Sequence, residues 1–377
     1  MKKVIIVSDS FKGSLSSSQI VRIAKERIPA YFPACQVIGM PVADGGEGTV
    51  DCFLEAIGGE RITVPVTGPW GEQVMGFYAR IGDTAVVEMA AAAALPMVGD
   101  RKDPSRTTTW GVGELIRHAI EQGAKKIILG LGGSATNDGG CGCAAALGVR
   151  FLDSDGNAFR PVGATLKDIA SLDCSEADSL LRNVTVEVMC DIDNPLCGAR
   201  GAAAVFAPQK GADAAMVAEL DGGLAHLAQI VQAQLGISVA ELPGAGAAGG
   251  FGAGAVAFLH AELRPGIEVV LDFVGFDRQL EGCDLVITGE GRIDGQSLGG
   301  KVPIGVSRRA KQHGVPVIAI VGIVSDDADA VYEEGISAVF NTNRAALPFA
   351  EIKDRGESDY RRTLDDVLRF AAAVSKL

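Results

Sequence analysis

Short aliphatic runs that break into loops of glycine and carboxylate recur along this chain, and no other feature constrains its fold as much. Lys2–Ser8 (KKVIIVS) runs into DSFKG, Gln36–Met40 into ADGGEG, Lys126–Leu131 into GGSATNDGG, Val184–Cys190 into DIDN and Asp284–Thr288 into GEGRIDGQS. Runs this apolar and β-branched suit strands buried on both faces, which means parallel pairing with helices above and below. Helical patterns fall between them. Ser16 to Ser18 offer N-caps for a helix through about Arg27, and others span Thr49–Ile57, Gly111–Gln122, Ala214–Leu235 and Glu351–Leu377. The alternation predicts an α/β fold with a parallel sheet. Arg61–Val87 differs: alternating runs broken at Gly68, Pro69 and Gly82 predict antiparallel hairpins.

With 377 residues the chain exceeds what one hydrophobic core usually holds. The simplest plan is a Rossmann-like parallel-sheet domain built from both chain ends, residues 1–66 and 275–377. An inserted mixed α/β domain, residues 67–274, lies between them in sequence. The 49 glycines follow no collagen period, so they imply many glycine-rich loops.

A net charge of −13 argues against a nucleic-acid groove or an anionic membrane surface, because either needs a basic field. Small anions are not excluded, since local lysines, arginines and backbone N–H groups can outweigh the global sign. The eight cysteines form no C-x-x-C pair, and Cys141 and Cys143 read as small residues packed near a helix start. The N-terminal apolar stretch is too short for a signal sequence and no run reaches membrane-spanning length, so a cytoplasmic protein with reduced thiols is expected.

In an open parallel sheet, ligands bind at the carboxyl ends of strands, where these loops fall. H-E-x-x-H does not occur, and His118, His226, His260 and His313 read as surface or packing residues. Phosphoryl transfer suits the loops better, because it needs positioning, cations and a divalent metal rather than a covalent relay. Two motif matches are incomplete. Gly295, Gly300 and Lys301 fit a P-loop, but Val302 stands where the Mg²⁺-binding hydroxyl belongs. Gly244, Gly246 and Gly249, with Glu268 beyond, fit a dinucleotide fingerprint without the strand that should precede it. That match motivates an NAD(P)-dependent hydroxy-acid dehydrogenase as the alternative from another class; a ligand sensor that lost its chemistry is a third.

Eight ordered blocks carry a resemblance: DSFKGSLS (Asp9–Ser16), PVADGGEGT (Pro41–Thr49), TTTWGVGELI (Thr107–Ile116), GLGGSATNDGG (Gly130–Gly140), CDIDNPLCG (Cys190–Gly198), FAPQKGA (Phe206–Ala212), PGAGAAGGFGAG (Pro243–Gly254) and TGEGRIDGQSLGGKVPIGV (Thr288–Val306). In these the chain resembles the bacterial type I glycerate kinase family. The resemblance implies ATP-dependent, Mg²⁺-assisted phosphorylation of D-glycerate by a two-domain enzyme with its site in the interdomain cleft and no Walker A loop. It leads us to expect 2-phosphoglycerate, with 3-phosphoglycerate as the alternative. Oligomeric state is left open.

Chemistry then suggests roles. Glycerate's carboxylate calls for cations or N–H donors, offered by Lys12 with the Asp9–Gly13 loop amides (Asp9, Ser10 and Phe11 among them) or by Arg292; Asp44, Gly45 and Glu47 are further candidate substrate contacts. Phosphate oxygens suit Gly132, Gly133, Ser134, Asn137, Asp138, Gly249, Gly250, Gly289 and Gly291. Asp191, Glu290 and Asp294 are candidate Mg²⁺ carboxylates. Lys12, Lys301, Asp44 and Asp191 are the candidate catalytic groups, Asp191 as the base.

Overall fold

The structure, a computed structural model, describes residues 1–43, 45–345 and 347–374. The chain divides into two compact units, one comprising Met1–Ala43, Glu55–Ile57 and Ile267–Leu377, the other Asp44–Leu54 and Gly58–Gly266. These breaks differ from those expected at residues 66 and 274. The strand Glu60–Thr67 pairs with Gln73–Ile81 over its whole length and so goes with the hairpins of the second unit.

In the first unit five parallel strands lie in the order Ile336–Asn341, Val317–Val321, Leu285–Gly289, Lys3–Ser8, Gln36–Gly39. Alternate side chains face opposite ways. Val4, Ile6, Ile287 and Ile320 join one core cluster with Ile20, Ile23 and Ile28 of the helix Ser17–Tyr31 and Leu364 and Leu368 of Gly356–Val374. Ala319 and Val321 join another with Ile304 of the helix Val302–Gln312. The sheet is therefore covered on both faces, which explains its lack of polar alternation. Sequence order reverses between Lys3–Ser8 and Leu285–Gly289, the point where doubly wound sheets open a crevice.

The second unit holds a six-stranded mixed sheet. Glu262–Arg264, Thr185–Met189, Lys126–Gly130 and Thr84–Glu88 run parallel; Gln73–Ile81 and Glu60–Thr67 add antiparallel pairs at one edge. The helix Ala214–Leu235 starts on Asp213, whose carboxylate accepts the Met216 N–H (2.8 Å), and ends at Gly236. Among the described residues no helix is long and apolar enough to cross a membrane.

Three helices of the first unit meet on Arg309. Its guanidinium donates to Glu268 (2.9 Å), Asp272 (2.6 Å) and Asp277 (3.1 Å), and its side chain is only 13% exposed. Arg309→Met leaves three carboxylates facing one another. After solvent screening we expect a loss of about 1–2 kcal/mol, smaller at high salt. Urea unfolding at low and high ionic strength measures both parts; equal losses would assign the effect to packing instead.

Candidate active site

At the switch point of the first unit, Ser8 pairs with Gly289 and the two strands release their loops side by side. A Cβ on Gly289 would sit 2.0 Å from the Ile320 carbonyl oxygen, so this strand end tolerates no side chain. The Asp9 N–H donates to Gly289 O (2.9 Å), and the Asp9 carboxylate accepts the Ser10 N–H (2.6 Å). Phe11 N–H donates to Leu15 O (2.7 Å), closing the loop with Lys12 exposed near its tip. The Phe11 ring is buried, edge-on to Tyr360 with centroids 5.8 Å apart. Gly291 lies against the backbone of Phe11 and Lys12, and Arg292 is exposed.

Glu290 is the centre of this cluster. It is 5% exposed and accepts the Ser297 hydroxyl at 2.7 Å. Lys301 Nζ stands 3.9 Å from Glu290 Oε2 and 3.7 Å from Asp294 Oδ1. Burial pushes the Glu290 carboxyl up to about 7; Ser297 and Lys301 oppose the rise, while the charges of Asp9 and Asp294 add to it. Gly295–Gly299 forms a 3₁₀ turn before Lys301, the residue preceding the helix Val302–Gln312. The partial P-loop is thus a turn that aims an ammonium at two carboxylates.

In the second unit, the loop after Lys126–Gly130 is clamped from several sides. Asp138 is fully buried and accepts the Thr109 N–H (2.8 Å), Thr109 hydroxyl (2.9 Å), Gly140 N–H (3.1 Å) and Gly142 N–H (3.2 Å). Its carboxylate therefore ties together two helix starts. Ser134 Oγ accepts the Thr136 N–H (3.0 Å), and Gly132 N–H donates to Gly45 O (2.9 Å). Gly133 carries φ +78° and its carbonyl accepts the Leu95 N–H (2.8 Å). Asn137 has no exposed surface, and neither polar atom of its amide has a partner.

Two of the glycines expected around phosphate build this wall. The Gly249 carbonyl accepts the Gly139 N–H (3.0 Å), and Gly250 packs on Leu224 and Gly139. Lys210, passed over in the sequence, lies here too. It is 3% exposed, and its ammonium donates to Thr136 O (2.7 Å) and Ser134 Oγ (3.3 Å). Its only sequence signal was the FAPQKGA block, where a lysine next to glycine reads as solvated surface.

Other candidates are placed less centrally. Asp191 is exposed and accepts the Gly266 N–H (2.7 Å). Glu47 is exposed, and the start of the helix Thr49–Ile57 is instead served by buried Glu88, which accepts Val50 N–H (3.0 Å). Asp44 lies outside the described residues. Gly244–Gly249 follows a turn rather than a strand, and Glu268 is engaged by Arg309, so the dinucleotide fingerprint has neither its strand nor its ribose carboxylate. The histidines hold structural partners, as with His118 on Tyr78 (3.1 Å) and His226 on Ile169 O (2.7 Å). Among the described residues no three His, Cys, Asp or Glu side chains form a metal-holding group by themselves.

The first unit carries acids and a lysine at the switch point of a covered parallel sheet, and the second a buried glycine loop, features of the α/β class of enzymes. The chain matches the glycerate kinase family over residues 4–372. It is 48% identical to a glycerate kinase of Bacillus cereus, covering 100% of this chain and 98% of that one. It is 47% identical to the glycerate 2-kinase of Escherichia coli over 90% of each. A crystal structure of a Salmonella typhimurium LT2 protein assigned as glycerate kinase 2 superimposes with a TM-score of 0.88 at 43% identity, covering all of both chains. This protein belongs to the glycerate kinase family and is a kinase.

Proposed function

We propose that the protein transfers the γ-phosphoryl group of ATP to the 2-hydroxyl of D-glycerate, with Mg²⁺, in the cytoplasm. The observation that carries this reading is the Glu290–Ser297–Lys301–Asp294 cluster at the switch point of the parallel sheet. The naming of the Escherichia coli relative as a glycerate 2-kinase supports the 2-position.

The donor set fits Mg²⁺. Glu290 and Asp294 already bring carboxylate oxygens toward one cation, the Lys301 ammonium, and Mg²⁺ in kinases needs only one or two carboxylates besides phosphate and water. When bound, the ion would neutralise negative charge that develops on the transferring phosphoryl group. Glu290 and Asp294 would hold it, and Lys301 would meet the transferring phosphoryl oxygens. Lys12, Arg292 and the N–H groups of the Asp9–Gly13 loop receive the glycerate carboxylate. Gly132–Asp138, backed by Gly249 and Gly250, receives the nucleotide's phosphates. Asp191, aimed by the Gly266 N–H, accepts the hydroxyl proton. Positioning supplies much of the rate, so a weak base suffices.

Purified protein with Mg-ATP and D-glycerate, followed by ³¹P NMR, tests the proposal. We expect a phosphomonoester signal coupled to the single C2 proton. Coupling to the C3 methylene would keep the kinase and move the phosphate to the 3-hydroxyl, and an unchanged ATP spectrum from folded protein would overturn the assignment.

A further inference from the structure

A lysine with 3% exposure needs a reason, since burial of an ammonium is costly unless it is paired and hydrogen-bonded. Lys210 ends the 3₁₀ turn Pro208–Lys210, and its two hydrogen bonds both reach the Ser134–Thr136 turn, more than 70 residues earlier in the chain. An ammonium has three donors, and Ser134 and Thr136 take two. The next residue, Asn137, presents an amide with no exposed surface and no partner for either polar atom. A donor and acceptor set left unmatched in a dry interior is rare unless something else fills it. Here it adjoins the turn that the lysine holds.

We propose that Lys210 is a positioning residue for phosphate recognition: its ammonium fixes the Ser134–Thr136 turn so that Asn137 keeps its amide aimed at a phosphate group of the nucleotide. This rests on the reading of Gly132–Asp138 as the phosphate loop. The hold depends on charge. Asp138 is the charged group facing the ammonium from that loop and favours its protonation. On the Gly211 side the neighbour is the backbone and Cβ of Lys102, whose side chain is exposed, and Asp213 is exposed while capping the following helix. Burial outweighs Asp138 and brings Lys210 down to about 7, so the ammonium is present below that pH and lost above it.

The test is steady-state kinetics with Mg-ATP and D-glycerate from pH 6 to 9 on the wild-type chain, Lys210→Met, Lys210→Gln and Asn137→Ala, with thermal unfolding of each. In the wild-type chain kcat/KM for ATP should fall along a one-proton limb above about pH 7. Folded Lys210→Met and Lys210→Gln should lose about tenfold or more in kcat/KM for ATP, chiefly through KM, and should lack that limb. Wild-type kinetics in Lys210→Gln, or no alkaline limb in the wild-type chain, overturns the proposal; the second criterion stands even if the variants fail to fold. Impaired Asn137→Ala beside normal Lys210 variants overturns the lysine's role alone. Normal Asn137→Ala overturns the loop reading and the proposal with it.

Discussion

A Glu290→Gln variant is expected to be more stable than the wild-type chain above pH 7 and still to lose kcat by on the order of 10²–10³. The two effects share one cause. Glu290 is buried, and its carboxyl titrates near 7 because desolvation outweighs the help of Ser297 and Lys301. Its pKa in the folded state lies above the unfolded value, so between about pH 4.5 and 7 the folded chain binds more protons than the unfolded one. Stability therefore falls as pH rises through that window, and beyond pH 7 the full cost of a buried carboxylate is present. Glutamine keeps the shape and can accept the Ser297 hydroxyl without the charge. It should recover about 2–3 kcal/mol at pH 8 and little at pH 5.

The proposed Mg²⁺ site needs the charge that stability disfavours. A neutral amide offers a divalent ion a weaker ligand and leaves Lys301 without the more buried of its two carboxylate partners. Urea unfolding in chelator at pH 5 and pH 8, beside kinetics at saturating Mg²⁺, separates the two halves. A variant no more stable at pH 8 would mean that Glu290 is better solvated than its 5% exposure implies. Wild-type kcat would move the cation site away from Glu290.

Local signals predicted the elements well because local chemistry decides them. Thr49–Ile57 and Ala214–Leu235 span the predicted residues, and Ser16 caps the first helix through a box with Gln19. The hairpin region was legible from turn residues, and the strand exits from glycine beside carboxylate. What failed to show was burial of polar side chains by distant chain. Nothing in FAPQKGA says that a turn more than 70 residues earlier will close over Lys210. Phe11 was grouped with substrate contacts for its place in a polar loop, yet the C-terminal helix supplies Tyr360 to take its ring inward. The strand Ile336–Asn341 escaped notice because ISAVFN is short and carries polar residues at an edge position. Glu290 was legible as a candidate, but its raised pKa depends on Ser297, Lys301, Asp9 and the depth of the sheet together.

The run Gly244–Gly254 posed the sharpest choice, since a glycine-alanine stretch can be a flexible tether or a close-packed wall. Gly249→Ala decides it, and we expect a loss of about 2–5 kcal/mol. Gly249 has φ +69°, between Ala248 at +54° and Gly250 at +89°, so three consecutive residues are left-handed inside what is otherwise a helix. An added Cβ would lie 2.1 Å from Thr136 O and 2.6 Å from Asn137 Cα. Both obstacles are backbone, so no rotamer change relieves them; the Thr136–Asn137 backbone itself must move. A tether would respond the other way, gaining up to about 1 kcal/mol as alanine restricts the unfolded chain. Gly222→Ala supplies the control. It sits within the helix Ala214–Leu235 with nothing within 4 Å of the added methyl, and should gain about 0.5–1 kcal/mol. Denaturation of both variants, with KM for ATP on whatever Gly249→Ala remains folded, reads the outcome. Because the first atoms displaced belong to Thr136 and Asn137, a folded remainder should bind ATP more weakly than the wild-type chain. Unchanged stability and unchanged KM together would mean that this wall and the loop it braces are not in contact during turnover.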